Sequence, residues 1–94
     1  MNVRVVRFTD VTDAQMNTML TRINAGEGPP DGTNFAGLEV LYDADAHTAV
    51  VVQRFDSADD LETAARVLAA MDPGETPGTR ASVDVCAQML ELTR

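Results

Sequence analysis

Glu39 and Asp84 occupy matching points in an internal repeat, because Leu38-Glu39-Val40 recurs as Val83-Asp84-Val85. A carboxylate in a partly apolar cavity can have its pKa raised and serve as a general base. Arg4 and Gln53 are placed by strand alternation on that same side. They can take a carboxylate or a carbonyl, the arginine through its planar fork. Gln88 is a further hydrogen-bonding candidate, and Phe8 and Phe55 offer ring surface for an apolar ligand. A plainer reading stands beside this one: Glu39 and Asp84 pair with Arg4 or with a partner's arginine, and salt links at a sheet edge fix register without chemistry.

Other site chemistries are poorly supplied. His47 is the only histidine and falls in a polar turn, Asp43-Ala44-Asp45-Ala46-His47. Cys86 is the only cysteine, so an internal disulfide is impossible and no zinc-ligand spacing exists; it is expected to be a small buried hydrophobe. No metal and no cofactor are expected. Gly26-Glu27-Gly28-Pro29-Pro30-Asp31-Gly32-Thr33 and Gly74-Glu75-Thr76-Pro77-Gly78-Thr79 are glycine-rich, yet neither has the Gly-Lys-Ser/Thr of a phosphate loop, and each carries a glutamate. Turn chemistry explains them.

The chain has 94 residues, enough for one domain spanning 1–94. Its net charge of −8 argues against nucleic acid, which needs a basic stripe, and against an anionic membrane surface. No apolar run approaches the ~20 residues of a membrane span, and Met1-Asn2-Val3-Arg4 begins no signal peptide, so a cytoplasmic setting is expected.

Residues 7–40 and 54–85 follow one plan twice, with Arg7-Phe8 returning as Arg54-Phe55. The Val-rich run 3–8 predicts a strand. Thr12 with Gln15 predicts a capping box, Val11 a staple onto Met16, and Met16, Met19, Leu20 and Ile23 one helical face. Strands follow at about 36–42 and 48–55, joined as a hairpin. Ser57 starts a second helix with Ala58, Leu61, Ala65 and Leu68 inward, and a last strand runs from about 81 to 90. The order β-α-β-β-α-β is the split βαβ arrangement of ferredoxin-like α+β folds. It predicts two helices on one face of a four-stranded antiparallel sheet, with the first and third strands central.

Alternation then divides the sheet residues. Val3, Val5, Val50, Val52, Leu38, Val40, Val83 and Val85 are nearly all apolar and are assigned to the helix side. Arg4, Val6, Phe8, Glu39, Val51, Gln53, Phe55, Asp84, Cys86 and Gln88 are assigned to an open face. A second copy covering that face is the expected assembly, a homodimer with a ligand cavity between the two sheets.

The element order, the size and the junction Gln53-Arg54-Phe55-Asp56-Ser57-Ala58-Asp59-Asp60-Leu61 resemble the dimeric α/β-barrel superfamily, and within it the antibiotic-biosynthesis-monooxygenase-like domains. The likeness spans nearly the whole chain and rests on pattern. It implies a homodimer whose sheets form a barrel, and in some members a cofactor-independent oxidation of aromatic compounds, in which a deprotonated phenol or quinol reacts with oxygen directly. Haem-degrading relatives use a pocket His, Asn and Trp; this chain has no Trp, so haem chemistry is not expected. Two functions stand: a monooxygenase-like or small aromatic-ligand-binding protein, with Glu39 and Asp84 as bases and Arg4, Phe8, Gln53, Phe55 and Gln88 around the ligand, or a non-catalytic dimerisation module.

Overall fold

The computed structural model describes residues 1–26, 33–70 and 78–93. Most of the two glycine-rich loops lies outside them. Strand β1 (Asn2–Thr9) leads into helix α1 (Asp13–Asn24), then the hairpin β2 (Gly37–Asp43) and β3 (Thr48–Phe55), helix α2 (Ala58–Ala69) and β4 (Thr79–Ala87). The four antiparallel strands take the order β2-β3-β1-β4, so β1 and β3 are central. This is a ferredoxin-like α+β fold.

Local signals account for the boundaries. The Thr12 hydroxyl accepts from the Gln15 N–H at 3.2 Å and the Gln15 side chain accepts from the Thr12 N–H at 3.0 Å, the reciprocal box expected. Val11 and Met16 lie in one buried cluster, which fixes the chain's entry into α1. Ser57 caps α2 by accepting from the Asp60 N–H at 3.1 Å. In the hairpin, Asp43 Oδ1 accepts from the N–H groups of Asp45 and Ala46, and His47 takes a left-handed φ of 51°. His47 is thus an exposed turn residue whose carbonyl accepts from the Val11 N–H at 2.9 Å.

The helices lie on the side of the sheet opposite to the one expected for the central strands. Val6, Phe8, Ala49 and Val51 are buried with Val11 and Met16, while Phe55 is buried with Leu61 and Ala64 of α2. Arg4, Val6, Phe8, Val51, Gln53 and Phe55 are therefore helix-side, and Val3, Val5, Val50 and Val52 belong to the open face. For β2 and β4 the expectation holds: pairing sets Leu38, Val40, Val83 and Val85 beside the helix-side residues Gln53, Val51, Val6 and Arg4. The slip is one residue between the central and edge strands, enough to send a whole strand to the other face. Its cause is compositional. β1 and β3 carry valine on both faces, so polarity does not choose between them. Size does: the phenylalanines bury the most area and go to the side with helices to receive them.

Within α2 the buried positions are Leu61 and Ala64, while Ala58 is exposed and Ala65 half-buried. The rings of Phe35 and Phe55 meet at 5.1 Å between centroids. That contact adds about 1 kcal/mol beyond area burial and ties the start of β2 to α2.

Candidate functional site

Pairing registers arrange the sheet into transverse rows, and the two middle rows carry four of the seven candidate residues. On the helix side the row is Leu38, Gln53, Arg4, Val85; on the open side it is Glu39, Val52, Val5, Asp84. Seven candidates were named from sequence, and the sheet divides them. Arg4, Phe8, Gln53 and Phe55 are on the helix side. Glu39 and Asp84 are on the open side. Gln88 lies past the end of β4, its N–H donating to the Met1 carbonyl at 2.9 Å and its side chain 3.5 Å from Glu91.

Glu39 and Asp84 end the same row with two strands between them, a span of about 14 Å. They cannot share a proton within one chain. Glu39 takes the plainer role: it pairs with Arg54 at 3.3 Å, not with Arg4, which is on the other face. Both partners keep solvent contact, so the pair contributes ~1 kcal/mol at most. Arg7 and Asp84 are the repeat's counterpart of Arg54 and Glu39. Among the described residues they form no ion pair.

Phe8 and Phe55 are core residues, Phe8 in the cluster of Val6, Val11 and Met16 and Phe55 in that of Leu61 and Ala64 with Phe35 against it. Cys86 is exposed on the open face opposite Val3, contrary to the expectation of burial. The reason is its position: β4 is an edge strand, and no helix covers its open side.

The polar pair at the centre of the helix side is the unusual feature. Arg4 is 5% exposed and Gln53 7%. Arg4 Nη1 donates to Gln53 Oε1 at 2.8 Å. Among the described residues no carboxylate lies within 4.0 Å of the guanidinium. No buried side-chain nitrogen or oxygen among them lacks a hydrogen-bond partner. The bond to Gln53 uses Nη1 alone, and Nε and Nη2 each keep slight contact with solvent. Burial, followed by the nearness of Arg80, pushes the Arg4 guanidinium below its ordinary pKa.

Arg80 reaches this side through an irregularity. Arg7 pairs with Ser82 but Phe8 pairs with Arg80, so Ala81 has no opposite number. Unbroken alternation from Ser82 would have put Arg80 on the open face. The bulge turns it to the helix side. Beyond Arg4, the helix-side surface of β4 is uncovered: Val83 is 40% and Val85 63% exposed, since α2 packs on β1 and β3. Sequence reasoning named Arg4 and Gln53 but missed Arg80, because a bulge leaves no mark in residue alternation.

A separate cleft of about 360 Å³ lies between α1 and β2, lined by Asp13, Met16, Asn17, Leu20, Val40 and Tyr42. The Tyr42 hydroxyl donates to Asp13 Oδ1 at 2.7 Å, with the Val11 carbonyl oxygen 3.0 Å away. That bond, then burial and the charges of Asp13 and Asp43, raise the Tyr42 pKa. None of the seven candidates lines this cleft. Among the described residues no cluster of three or more His, Cys, Asp or Glu could hold a metal ion. No helix among them is long and apolar enough to cross a membrane.

Neither a protein-family model nor a curated protein matches the chain. Among solved structures it is similar to Rv0793 from Mycobacterium tuberculosis, with 19% sequence identity and a TM-score of 0.58 over 99% of this chain and 100% of the other. Identity that low speaks to architecture alone, and it agrees with the strand order found here: the chain has the ferredoxin-like α+β fold.

Proposed function

We propose that the protein is a cytoplasmic homodimer of the dimeric α/β-barrel type that binds a small organic molecule on the helix side of each sheet. The observation that carries this reading is the buried Arg4, hydrogen-bonded to the neutral Gln53 and lacking a described carboxylate partner. Burial without a counter-charge disfavours a guanidinium, and a bound molecule that accepts from it offsets that cost. Binding is preferred to a monooxygenase-like reaction because Glu39 and Asp84 face away from Arg4 and Gln53. A proton held by either carboxylate is on the wrong side of the sheet for a ligand at Arg4.

The open face supports the assembly. Val3, Val5, Val50 and Val52 form an apolar centre, with Arg7, Arg54, Glu39 and Asp84 around it. A second copy laid face to face covers the valines and can set cations against carboxylates, as a two-fold interface requires. The non-catalytic dimerisation module remains the second reading, favoured by this same valine patch. It shares the dimer and lacks the ligand.

Two measurements test the proposal. Sedimentation equilibrium should give a dimer for the wild type and a monomer for Val50→Glu. Amide chemical shifts recorded with phenol, benzamide and benzoate should move at Arg4, Gln53 and Val85 for at least one compound. A wild-type monomer would overturn the assembly. A dimer with no shift near Arg4 for any of the three would leave the dimerisation module.

A further inference from the structure

We propose that the molecule bound on the helix side is a carboxylate with an apolar body, its carboxylate held by Arg4, its body lying along Val85 and Val83, and Arg80 adding positive charge farther along the same face. The inference rests on the reading of the helix side as the ligand side, and it adds the chemical class.

Three observations converge. The first is the unused edge of Arg4. With Nη1 committed to Gln53, the remaining Nε and Nη2 donors point in parallel, the geometry that matches the two oxygens of a carboxylate. Gln53 also holds the guanidinium in place, so little side-chain freedom is lost on binding.

The second is a local excess of positive charge. The chain carries 15 acidic residues against 7 basic ones, yet two arginines share this side of the sheet, Arg80 two rows along the strands from Arg4. Among the described residues neither is in an ion pair. Arg80 is on this side only because of the bulge at Ala81. Like charges on one face repel, and an anion bound on that face is attracted to both.

The third is the wall beside them. Val85 is the direct neighbour of Arg4 across β1 and β4, and Val83 is the neighbour of Val6. Both are exposed on the helix side. An anion of hydrated, inorganic character has no use for that surface, whereas a ring or short chain attached to a carboxylate would bury it.

The test is a titration of the dimer followed by amide chemical shifts, with benzoate, benzamide and inorganic phosphate as probes. Benzoate should bind at least tenfold more tightly than benzamide and than phosphate, with shifts at Arg4, Arg80, Val83 and Val85. Arg80→Met, at an exposed site, should weaken benzoate about fivefold, the scale of one partly screened charge. Arg4→Lys should weaken it at least tenfold while keeping the positive charge, because the fork is lost. Circular dichroism of both variants checks the fold, and Arg80→Met carries the test if Arg4→Lys is unstable. Equal affinity for benzamide would overturn the carboxylate inference and leave the ligand site standing. Tighter phosphate binding would overturn the apolar body. No shift at Arg4 with any probe would overturn both this inference and the ligand reading beneath it.

Discussion

Glu39 and Asp84 stand at the two ends of one row across the open face, with Val52 and Val5 between them. The row's apolar middle and charged ends have the make-up of a small interface, with a hydrophobic centre and a polar rim. The two carboxylates thus belong to the rim of a surface that a second copy would cover.

Cys86 lies directly beside Val3, at the edge of the valine centre of that surface, and can report its covering. In a dimer joined through the open face, its thiol should react slowly with a disulfide reagent. The rate should rise at least tenfold in Val50→Glu, approaching that of a free thiol. Equal rates in the two proteins would place the subunit contact elsewhere.

Arg4 and Gln53 should show strong coupling in a double-mutant cycle. Arg4→Met alone leaves the Gln53 carbonyl oxygen buried without a donor, which costs about 1–3 kcal/mol. Arg4→Met with Gln53→Leu removes both polar groups and should restore at least the wild-type stability, since an apolar pair avoids burying a charge. Urea denaturation of the four proteins measures this. Additive effects would mean that the two side chains do not depend on each other.

Gly78 takes φ of +57°, and a Cβ there would collide with the Thr9 carbonyl oxygen and crowd Val11. Gly78→Ala should destabilise by about 2 kcal/mol or more, because conformational strain and a backbone clash add. Gly26 also has a positive φ, of +79°, but open space around it. Gly26→Ala should cost only about 1 kcal/mol. Thermal unfolding of the two variants should separate them clearly.

Tyr42 gives a dependence on pH. Its hydroxyl, bonded to Asp13, holds its proton more firmly in the folded chain, so its pKa lies above the ordinary 10.0. A raised folded pKa contributes stability that is complete below the unfolded value and disappears as pH rises through the folded one. The wild type should therefore lose stability above pH 10.0. Tyr42→Phe should melt lower at neutral pH and lack that alkaline component. Parallel melting curves for the two proteins across this range would show that the Tyr42 bond is not made.

The sequence and the structure agree where capping and turn signals decide, whereas the helical stripes hold only in part: Ala58 and Leu20, both expected inward, are exposed. Thr12 with Gln15, Ser57 and the Asp43–His47 turn all form as their residue types require, and strand order follows from the repeat. Disagreement begins where the answer depends on how strands are registered against each other. Arg4 and Gln53 were legible as a facing pair, but their side of the sheet was not, because valines flank them on both faces of the strand. Glu39 was legible as an edge carboxylate, whereas its partner Arg54 followed from the face assignment. Arg80 was illegible for a different reason: its direction is set by one unpaired residue in a ladder, a property of two strands together.

Ala81 itself acts as a phase shift. Residues after it in β4 keep one alternation and Arg80 before it keeps the opposite one, so a single residue without chemistry determines which side receives a charge. An unbroken ladder would instead pair Ala81 with Phe8 and set Arg80 opposite Thr9, back in step with Ser82. The same arginine would then leave Arg4 and join the open face. In this strand, spacing carries the information that the charge alone does not.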